Sequence, residues 1–397
     1  SGWVAPDTDG EFNNGRIFNY GSLDIFVPND SIEGLWHEAG FSGGVRTWES
    51  PNNSVNQDGT FKHFVVQRDD VFSNTTDADI YINNVIDIED NSTTGTLNAT
   101  TSITIGNVVD GTRTFDGRID ELRAASTTMS SAWISAEYTN QSTTADFYSI
   151  NAVAAQVWNA TDWILYDTIT IDNAQVDDDL TDFPVYVDLA DLSSTFWSTT
   201  PTTSEAVGAD IRVTTDDGSP VELPRELVAA SSTAETGELH FKADSISSTT
   251  DTVFRIYYNG TTTSDYATNA TYGAENVWSN DYFGVWHLDN DPGSFEPQII
   301  DSTANNRDGT TFGSMTDTDS VAAVLGNGLD ADGSDDYVNV GSDTPGFITV
   351  QAWVNMPSTA DYDQIVSKDP NSGNRSWQFR KQNDDSLAFI VWNQSSA

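Results

Sequence analysis

Carboxylates are the side chains that could most readily do chemistry in this chain, which has 61 Asp and Glu among 397 residues. Glycoside hydrolysis is the first reaction to consider, because it needs two carboxyl groups facing one cleft. In so acidic a chain, an adjacent pair such as Asp335 and Asp336 arises without any catalytic role. Glycosidases built on β-sandwiches carry Glu-x-Glu on one strand, and that pattern does not occur. The sequence therefore predicts a protein that is not an enzyme.

Histidine and cysteine are the other side chains from which catalytic and metal sites are commonly built. The chain has no cysteine, which excludes disulfides, thiolate zinc sites and cysteine nucleophiles. The histidines at positions 37, 63, 240 and 287 fall on separate predicted strands. We interpret each as a packed or edge-strand residue, so the chain has no predicted catalytic set.

The formal net charge of −45 limits the partners. Nucleic acids and anionic bilayers are excluded because like charges repel. No apolar run reaches the roughly 18 residues of a membrane span, so no direct membrane insertion is expected in this segment. Hydrophobic residues make up 37% of the chain, enough to form cores and to exclude disorder. Salt screens charge repulsion, so this acidic, halophile-like surface favours a saline habitat.

Asparagine sequons bear on location, because Asn-x-Ser/Thr is the acceptor for N-linked glycans in secreted proteins. They occur at Asn29, Asn52, Asn74, Asn91, Asn98, Asn140, Asn159, Asn259, Asn269, Asn374 and Asn393. We expect an extracellular glycoprotein that carries N-linked glycans.

The elements that must position these residues are β-strands. Short β-branched and aromatic runs, such as Phe61 to Gln67, Ile164 to Ile171 and Phe347 to Val354, alternate with Gly, Asn, Asp and Ser clusters. This pattern predicts an all-β chain of serial β-sandwiches. Residues Met129 to Tyr138 predict one short helix, with Ser130 as its N-cap. Composition changes divide the chain into three segments, residues 1–155, 156–276 and 277–397.

The first and third segments resemble one another. Gly2-Trp3-Val4 corresponds to Ala352-Trp353-Val354, and the two tryptophans are 350 residues apart. Further correspondences join Gly15–Ile17 to Gln364–Val366, Leu23–Val27 to Trp377–Lys381, and Ile32–Trp36 to Leu387–Val391. Self-similarity at a fixed spacing is typical of a tandem repeat.

Ordered motifs in the outer segments resemble laminin-G-like, concanavalin-A-like jelly-roll domains. The first segment has Phe61-Lys62-His63-Phe64-Val65-Val66, Asp79-Ile80-Tyr81-Ile82-Asn83-Asn84 and Phe115-Asp116-Gly117-Arg118-Ile119-Asp120-Glu121-Leu122-Arg123. These match the second half of that fold, although Asn84 replaces a glycine. The third segment has Val285-Trp286-His287-Leu288, Asp301-Ser302-Thr303-Ala304-Asn305-Asn306-Arg307-Asp308 and Val350-Gln351-Ala352-Trp353-Val354, which match the first half.

The middle segment has Leu180-Thr181-Asp182-Phe183-Pro184-Val185 and Arg255-Ile256-Tyr257-Tyr258-Asn259-Gly260. It resembles a domain of unknown function that commonly precedes such sandwiches in prokaryotic surface proteins. That resemblance implies no activity. The first laminin-G-like part is expected to lack its opening strands and the third its closing strands.

The laminin-G resemblance implies a structural Ca²⁺ ion, whose preferred ligands are oxygens. Its ligands would be Asp120 of the Ile-Asp-Glu strand and the loop residues Asp301, Asn306 and Asp308. The Asp330 to Asp335 stretch looks like a calcium loop but lacks the Gly and Glu of an EF-hand. Trp36, Trp48, Trp197 and Trp377 are candidate platforms for stacking on sugars, although tryptophans on strands are more often core residues.

Two functions remain open from the sequence. The first is a non-enzymatic structural repeat of a cell-surface or filament-forming glycoprotein, whose partners are copies of itself or neighbouring repeats. In its sharper form, adjacent subunits complete the end segments by strand addition. The alternative is a carbohydrate-binding or adhesion module whose partners are surface glycans.

Overall fold

The computed structural model of the chain describes residues 1–6, 14–20, 23–26, 36–41, 44–49, 55, 59–68, 76–93, 103–106, 115–155, 162–199, 208–216, 219–261, 264–341, 349–355, 362–368, 377–381 and 387–391. For the described residues within 3–49, and for residues 68, 76–78, 87–93, 103, 152–155, 362–364, 368, 377–381 and 387–391, it describes the backbone alone. The chain divides into two compact units. Unit 1 comprises residues 1–129, 281–301 and 305–397, and unit 2 comprises residues 130–280 and 302–304.

The described residues are mostly β-strand, which confirms the predicted all-β fold. The first ten strands are β1 (Gly2–Pro6), β2 (Asn14–Tyr20), β3 (Leu23–Phe26), β4 (Trp36–Phe41), β5 (Gly44–Glu49), β6 (Lys62–Arg68), β7 (Thr76–Ile82), β8 (Val85–Thr93), β9 (Ile103–Ile105) and β10 (Asp116–Ala125). Unit 2 contains α1 (Ser131–Ser142), α2 (Thr144–Phe147), β11 (Tyr148–Ala155), β12 (Trp163–Ile171), β13 (Leu180–Asp188), α3 (Ser194–Thr199), β14 (Arg212–Thr215), β15 (Glu222–Leu223), β16 (Arg225–Ser231), β17 (Thr236–Ile246) and β18 (Thr252–Gly260). The remaining strands are β19 (Tyr282–Trp286), β20 (Thr310–Phe312), β21 (Ser320–Ala322), β22 (Asn327–Asp332), β23 (Tyr337–Asn339), β24 (Thr349–Asn355), β25 (Tyr362–Lys368), β26 (Trp377–Lys381) and β27 (Leu387–Val391).

Unit 1 is a sandwich of two sheets. One has the order β21-β22-β10-β1-β24-β6-β7-β8, and β19 also pairs with β10. The other has the order β20-β23-β9-β2-β25-β26-β27-β5-β4-β3. Phe64, Leu122 and Val350 of the first sheet form one buried cluster with Ile105 and Ile365 of the second. Alternating side chains therefore meet between the two sheets, as expected for a β-sandwich.

The hairpin from β7 to β8 follows local turn chemistry. Asn83 and Asn84 have φ angles of 48° and 64°, the left-handed values that a two-residue type I′ turn requires. Asparagine tolerates this conformation better than most residues do, so Asn84 replaces the expected glycine without losing the turn.

Unit 2 contains two sheets, with orders β11-β12-β18-β14-β15 and β13-β17-β16. The predicted helix is α1, and Ser130 caps it by accepting a hydrogen bond from the Trp133 amide at 3.2 Å. Ala132 and Ala136 of α1 join the buried cluster of this unit. None of the described helices is long and apolar enough to cross a membrane.

The units differ from the three predicted segments in two respects. Residues 130–155 lie in unit 2, because β11 pairs with β12 from Tyr148 opposite Ile171 to Ala155 opposite Leu165. The outer segments lie together in unit 1, because β10 pairs with β19, β22 and β24. The third segment thus supplies strands beside those of the first.

Candidate functional site

The strand β10 carries the Ile-Asp-Glu-x-Arg motif and is interrupted by a β-bulge. Glu121 has a φ of 49°, and the register with β24 shifts between Asp120 and Arg123. Asp120 and Glu121 are therefore both buried, although consecutive residues of a regular strand face opposite sides. Arg123 is buried as well, so three charged residues lie inside unit 1.

Asp120 anchors a loop of the third segment. Its Oδ2 atom accepts hydrogen bonds from the backbone amides of Val324 at 2.7 Å and Leu325 at 2.8 Å. A carboxylate that accepts two backbone amides stabilises the loop that presents them. These two hydrogen bonds account for a buried carboxylate at position 120.

Asp301 has a similar role in its own loop. Oδ1 accepts from the Val285 amide at 3.1 Å and Oδ2 from the Arg307 amide at 2.8 Å. The Asp301 amide donates to Oδ1 of Asp308 at 2.9 Å, and Asn306 has a left-handed φ of 51°. The structure therefore brings Asp301 and Asp308 together within one loop.

Asp120, Asp301 and Asp308 are not members of any described group of three or more Asp, Glu or His residues whose ligand atoms lie within 4.8 Å of one another. A Ca²⁺ site built from Asp120, Asp301, Asn306 and Asp308 stays a prediction.

One acidic group of unit 1 lies where the chain passes from β22 in one sheet to β23 in the other. Asp332, Asp335 and Asp336 have carboxylate oxygens within 4.8 Å of one another. Burial, together with repulsion from Asp332, Asp319 and Asp335, raises the pKa of Asp336 to about 7, although the Asp332 amide donates to its Oδ2 atom at 3.1 Å. The connection between β22 and β23 thus contains a carboxyl group whose pKa lies near neutral pH.

Glu121 joins a buried charge network that the sequence did not predict. Its Oε1 atom lies 2.7 Å from Nδ1 of His287, and its Oε2 atom accepts from Arg123 at 2.6 Å. Glu121 and Arg123 do belong to the Ile-Asp-Glu-x-Arg motif, but the sequence pointed to Asp120 as the functional residue of that motif. His287 could not be assigned to it because the two partners are 166 residues apart.

The other histidines are packed where their side chains are described. The His63 ring lies 5.4 Å from the Trp353 ring, and burial holds the pKa of His63 well below its usual range. In unit 2, Nε2 of His240 lies 2.9 Å from Oε1 of Glu238. His37 lies on β4, where the side chain is outside the described residues.

Asn140 is a predicted glycan acceptor whose side chain the structure describes, and its glycosylation stays a prediction. The side chain is buried, Nδ2 donates to the Tyr186 carbonyl at 2.9 Å, and Oδ1 accepts from the Tyr186 amide at 2.7 Å. A glycan would replace one of the two Nδ2 hydrogens of a side chain that is buried and already hydrogen-bonded through both of its polar atoms. By contrast, Asn269 is exposed, whereas Asn259 is half-buried at the end of β18 with a φ of 55°. Asn91 lies on β8, where the backbone alone is described. The remaining sequons lie outside the described residues: Asn29, Asn52, Asn74, Asn98, Asn159, Asn374 and Asn393.

Among the candidate sugar platforms, the structure describes the side chain of Trp197 alone. Trp197 lies on α3, half-buried against the core of unit 2, with its ring 4.7 Å from that of Phe196. These contacts show that Trp197 packs at the edge of the hydrophobic core, and its role as a sugar platform stays a prediction. Trp36, Trp48 and Trp377 lie on β4, β5 and β26, with backbone alone described, so they stay predictions.

Two strands of unit 1 that correspond in sequence both pair with β10. Trp3 of β1 and Trp353 of β24 are each paired with Asp120. These two tryptophans are the residues that the 350-residue spacing equates.

Two further pairs of corresponding strands also lie side by side and parallel. β2 pairs with β25 with Phe18 opposite Val366, and β3 pairs with β26 with Leu23 opposite Trp377. Leu23 and Trp377 begin the segments that the sequence comparison equates. The pairing of β2 with β25 is one residue out of step with the sequence comparison, which equates Ile17, and not Phe18, with Val366.

Comparison with known proteins bears on this unit. Residues 1–135 match the laminin G family model described as the concanavalin A-like lectin/glucanases superfamily. The match confirms the predicted resemblance of the first segment to laminin-G-like, concanavalin A-like domains. No curated protein and no solved structure matches the chain.

Proposed function

We propose that the protein is a non-enzymatic structural repeat of a cell-surface or filament assembly, in which β-sandwiches follow one another in series. Its partners are copies of itself or neighbouring repeats. The observation that carries the proposal is the correspondence of Gly2-Trp3-Val4 with Ala352-Trp353-Val354, 350 residues further along the chain. A segment that recurs at a domain-sized spacing suits a chain in which β-sandwich repeats follow one another.

Charge and composition support an extracellular, saline setting for this assembly. A net charge of −45 makes copies repel one another strongly in dilute buffer. The Debye length falls from about 10 Å at 0.1 M salt to about 3 Å at 1 M, so high salt removes most of that barrier. The exposed sequon at Asn269 suits a glycosylated outer surface.

The experiment is sedimentation of the purified 397-residue chain over a concentration series in 0.1 M and roughly 2 M NaCl, with electron microscopy of the heaviest fractions. We expect concentration-dependent, end-to-end assembly at high salt and much less at low salt. A chain that stays monomeric at every concentration and salt would contradict the proposal.

A second candidate, a carbohydrate-binding or adhesion module, is favoured by the family match of residues 1–135. Because that superfamily includes lectins, glycan binding is the alternative to a structural role. A glycan array probed with and without chelator separates the two functions. Saturable binding that free sugar competes away supports adhesion, and assembly without any array signal supports the structural role. Chelator sensitivity would test the calcium prediction in either case.

A further inference from the structure

A cleft of about 500 Å³ opens at one end of unit 2, between its two sheets. From one sheet it is lined by the start of β13 and the end of β17, where Leu180 pairs with Ile246. From the other sheet it is lined by the end of β14 and the start of β18, where Thr215 pairs with Phe254. Ligand sites in proteins usually have volumes of roughly 300–1,000 Å³, so this cleft is large enough for a small ligand.

Two exposed carboxylates that line the cleft, Asp179 and Asp251, are held in place by the fold. Oδ1 of Asp179 accepts hydrogen bonds from the Ser248 amide at 2.8 Å and from the Ser248 hydroxyl at 2.9 Å. These bonds lower the pKa of Asp179, so its carboxyl group is ionised at neutral pH. Oδ1 of Asp251 accepts from the Asn173 amide at 3.2 Å. In both residues Oδ2 makes no hydrogen bond with the described part of the chain, so it can accept one from a ligand.

The charge of the cleft limits what it can bind. Asp216 and Asp244 also line it, and Asp216 forms an ion pair with Arg255. Oδ1 of Asp244 accepts from the Ser245 amide at 3.0 Å. Among the described residues that line the cleft, none is Lys, Arg or His. The cleft therefore repels phosphate, sulfate and acidic sugars, and it favours ligands that donate hydrogen bonds to carboxylates.

The rest of the lining combines hydroxyl groups with an apolar surface. Thr181, Ser245 and Thr250 contribute exposed hydroxyls, which can both donate and accept hydrogen bonds. Ile246 and Phe254 belong to the buried cluster of unit 2 and give the cleft its apolar surface. A saccharide has the matching chemistry, because its hydroxyls donate and accept while the C–H faces of its rings are apolar. A metal ion or a polyamine would leave the hydroxyls or the apolar surface unused.

We infer that this cleft binds a saccharide that is neutral or carries protonated amino groups. Sugar hydroxyls donate to Oδ2 of Asp179 and Asp251 and exchange hydrogen bonds with Thr181 and Ser245, and amino groups add ion pairs with the carboxylates. The inference goes beyond the structural role proposed above, because it does not require copies to assemble. It places glycan binding in unit 2, outside the residues 1–135 that match the laminin G family.

Calorimetric titration of the 397-residue chain tests the class of ligand. The probes are short oligomers of glucosamine, of N-acetylglucosamine and of galacturonic acid, together with spermidine as an amine that has no sugar ring. We expect saturable binding of the glucosamine oligomer, the N-acetylglucosamine oligomer or both, and none of the acidic oligomer. The inference is overturned if neither of the first two binds saturably, if the acidic oligomer binds as well as they do, or if spermidine binds as tightly as the glucosamine oligomer.

Variants show whether the saccharide binds in the cleft. D244N should weaken the Kd of whichever oligomer binds by about tenfold, the loss expected for one charge-assisted hydrogen bond. S245W, which places an indole in the cleft at an exposed position, should abolish binding. The matched controls are D177N and T233W, at exposed residues that do not line the cleft, and neither should change the Kd. Equal losses in variants and controls, or no loss in D244N and S245W, would overturn the inference.

Circular dichroism checks that S245W folds, and T181W, at the residue that pairs with Ser245, takes its place if it does not. Sedimentation of the folded variant in high salt separates this inference from the proposed function. Normal assembly with sugar binding lost supports the inference. A folded S245W that no longer assembles would show that the cleft binds another copy of the chain and not a saccharide. A native chain that binds sugar but never assembles contradicts the structural role alone.

Discussion

Units 1 and 2 are both built from β-sheets, but they differ in where their strands come from. Unit 2 is nearly one continuous stretch, residues 130–280, to which residues 302–304 are added. Unit 1 combines residues 1–129 with residues 281–301 and 305–397, and its sheets include parallel pairs as well as antiparallel ones. Unit 2 therefore forms mainly from neighbouring parts of the chain, whereas unit 1 forms only when two distant parts meet.

The buried charges reflect the same difference. In unit 2, Arg225 makes a bidentate pair with Asp265 at 2.6 and 3.2 Å, and Arg212 lies 4.2 Å from the Tyr266 ring centroid. These partners all belong to the continuous stretch. In unit 1, the network of Glu121 with Arg123 and His287 joins the first segment to the third. Unit 1 thus satisfies its buried charges only when distant segments meet.

The largest expected effect compares residues that have a repeat counterpart with residues that do not. Trp286 of β19 and Trp353 of β24 are both buried, but only Trp353 has a counterpart, at Trp3. W286A should lower the free energy of unfolding of unit 1 by about 3–5 kcal/mol, the usual cost of truncating a buried aromatic residue. W353A should cost less than half as much, because β1 supplies an equivalent strand. Urea denaturation followed by tryptophan fluorescence and circular dichroism measures both losses.

Two controls sharpen this test. F241A in unit 2 removes a buried ring that lies 5.0 Å from Phe254 and has no repeat counterpart, so its cost should match that of W286A. The double variant W3A/W353A should recover the full loss. Equal costs for W286A and W353A would show that β1 does not substitute for β24.

A smaller effect is expected at the buried sequon. N140A should destabilise unit 2 by about 1–3 kcal/mol, because it leaves the amide and carbonyl of Tyr186 without their partners in a buried place. N269A, at an exposed sequon, should stay within about 0.5 kcal/mol. Thermal unfolding checks both values. Glycopeptide mass spectrometry of protein from an N-glycosylating host should find sugar at Asn269 and none at Asn140, and sugar at Asn140 would refute this assignment.

The role of Asp120 gives a comparable prediction. D120N should cost about 1–2 kcal/mol, since an amide oxygen accepts the Val324 and Leu325 hydrogen bonds less strongly than a carboxylate does. The loss should be the same with and without chelator, as measured by the urea midpoint. If chelator lowers the midpoint of the native chain but not of D120N, Asp120 is a calcium ligand as the family resemblance implies.

The smallest effect is a pH dependence in unit 1. Burial raises the pKa of Asp336 to about 7, above its unfolded value, so the folded state favours the protonated form. The stability associated with that form is fully present below the unfolded pKa and is lost as the pH rises through about 7. D336N should therefore raise the melting temperature relative to the native chain at pH 8 and change it little at pH 4. An equal difference at both values of pH would show that Asp336 does not titrate in this range.

Local features of the fold were predictable from the sequence, and long-range pairings were not. The Asn83-Asn84 turn and the Ser130 cap depend on a few neighbouring residues whose conformational preferences are strong. The bulge at Glu121 and the contact with His287 depend on strands far apart in the chain. The position of residues 130–155 in unit 2 could not be predicted either, because it depends on the pairing of β11 with β12. The correspondence of Trp3 with Trp353 was visible in the sequence, but their common partner Asp120 was not.

Hydrogen exchange of the native chain tests most directly whether copies assemble through the sheets of unit 1. Backbone amides that become paired between strands exchange more slowly. Between dilute solution in 0.1 M NaCl and concentrated solution in roughly 2 M NaCl, we predict increased protection in strands of unit 1 and unchanged protection in β12 and β18 of unit 2. Protection of unit 1 that is the same under both conditions would contradict the account.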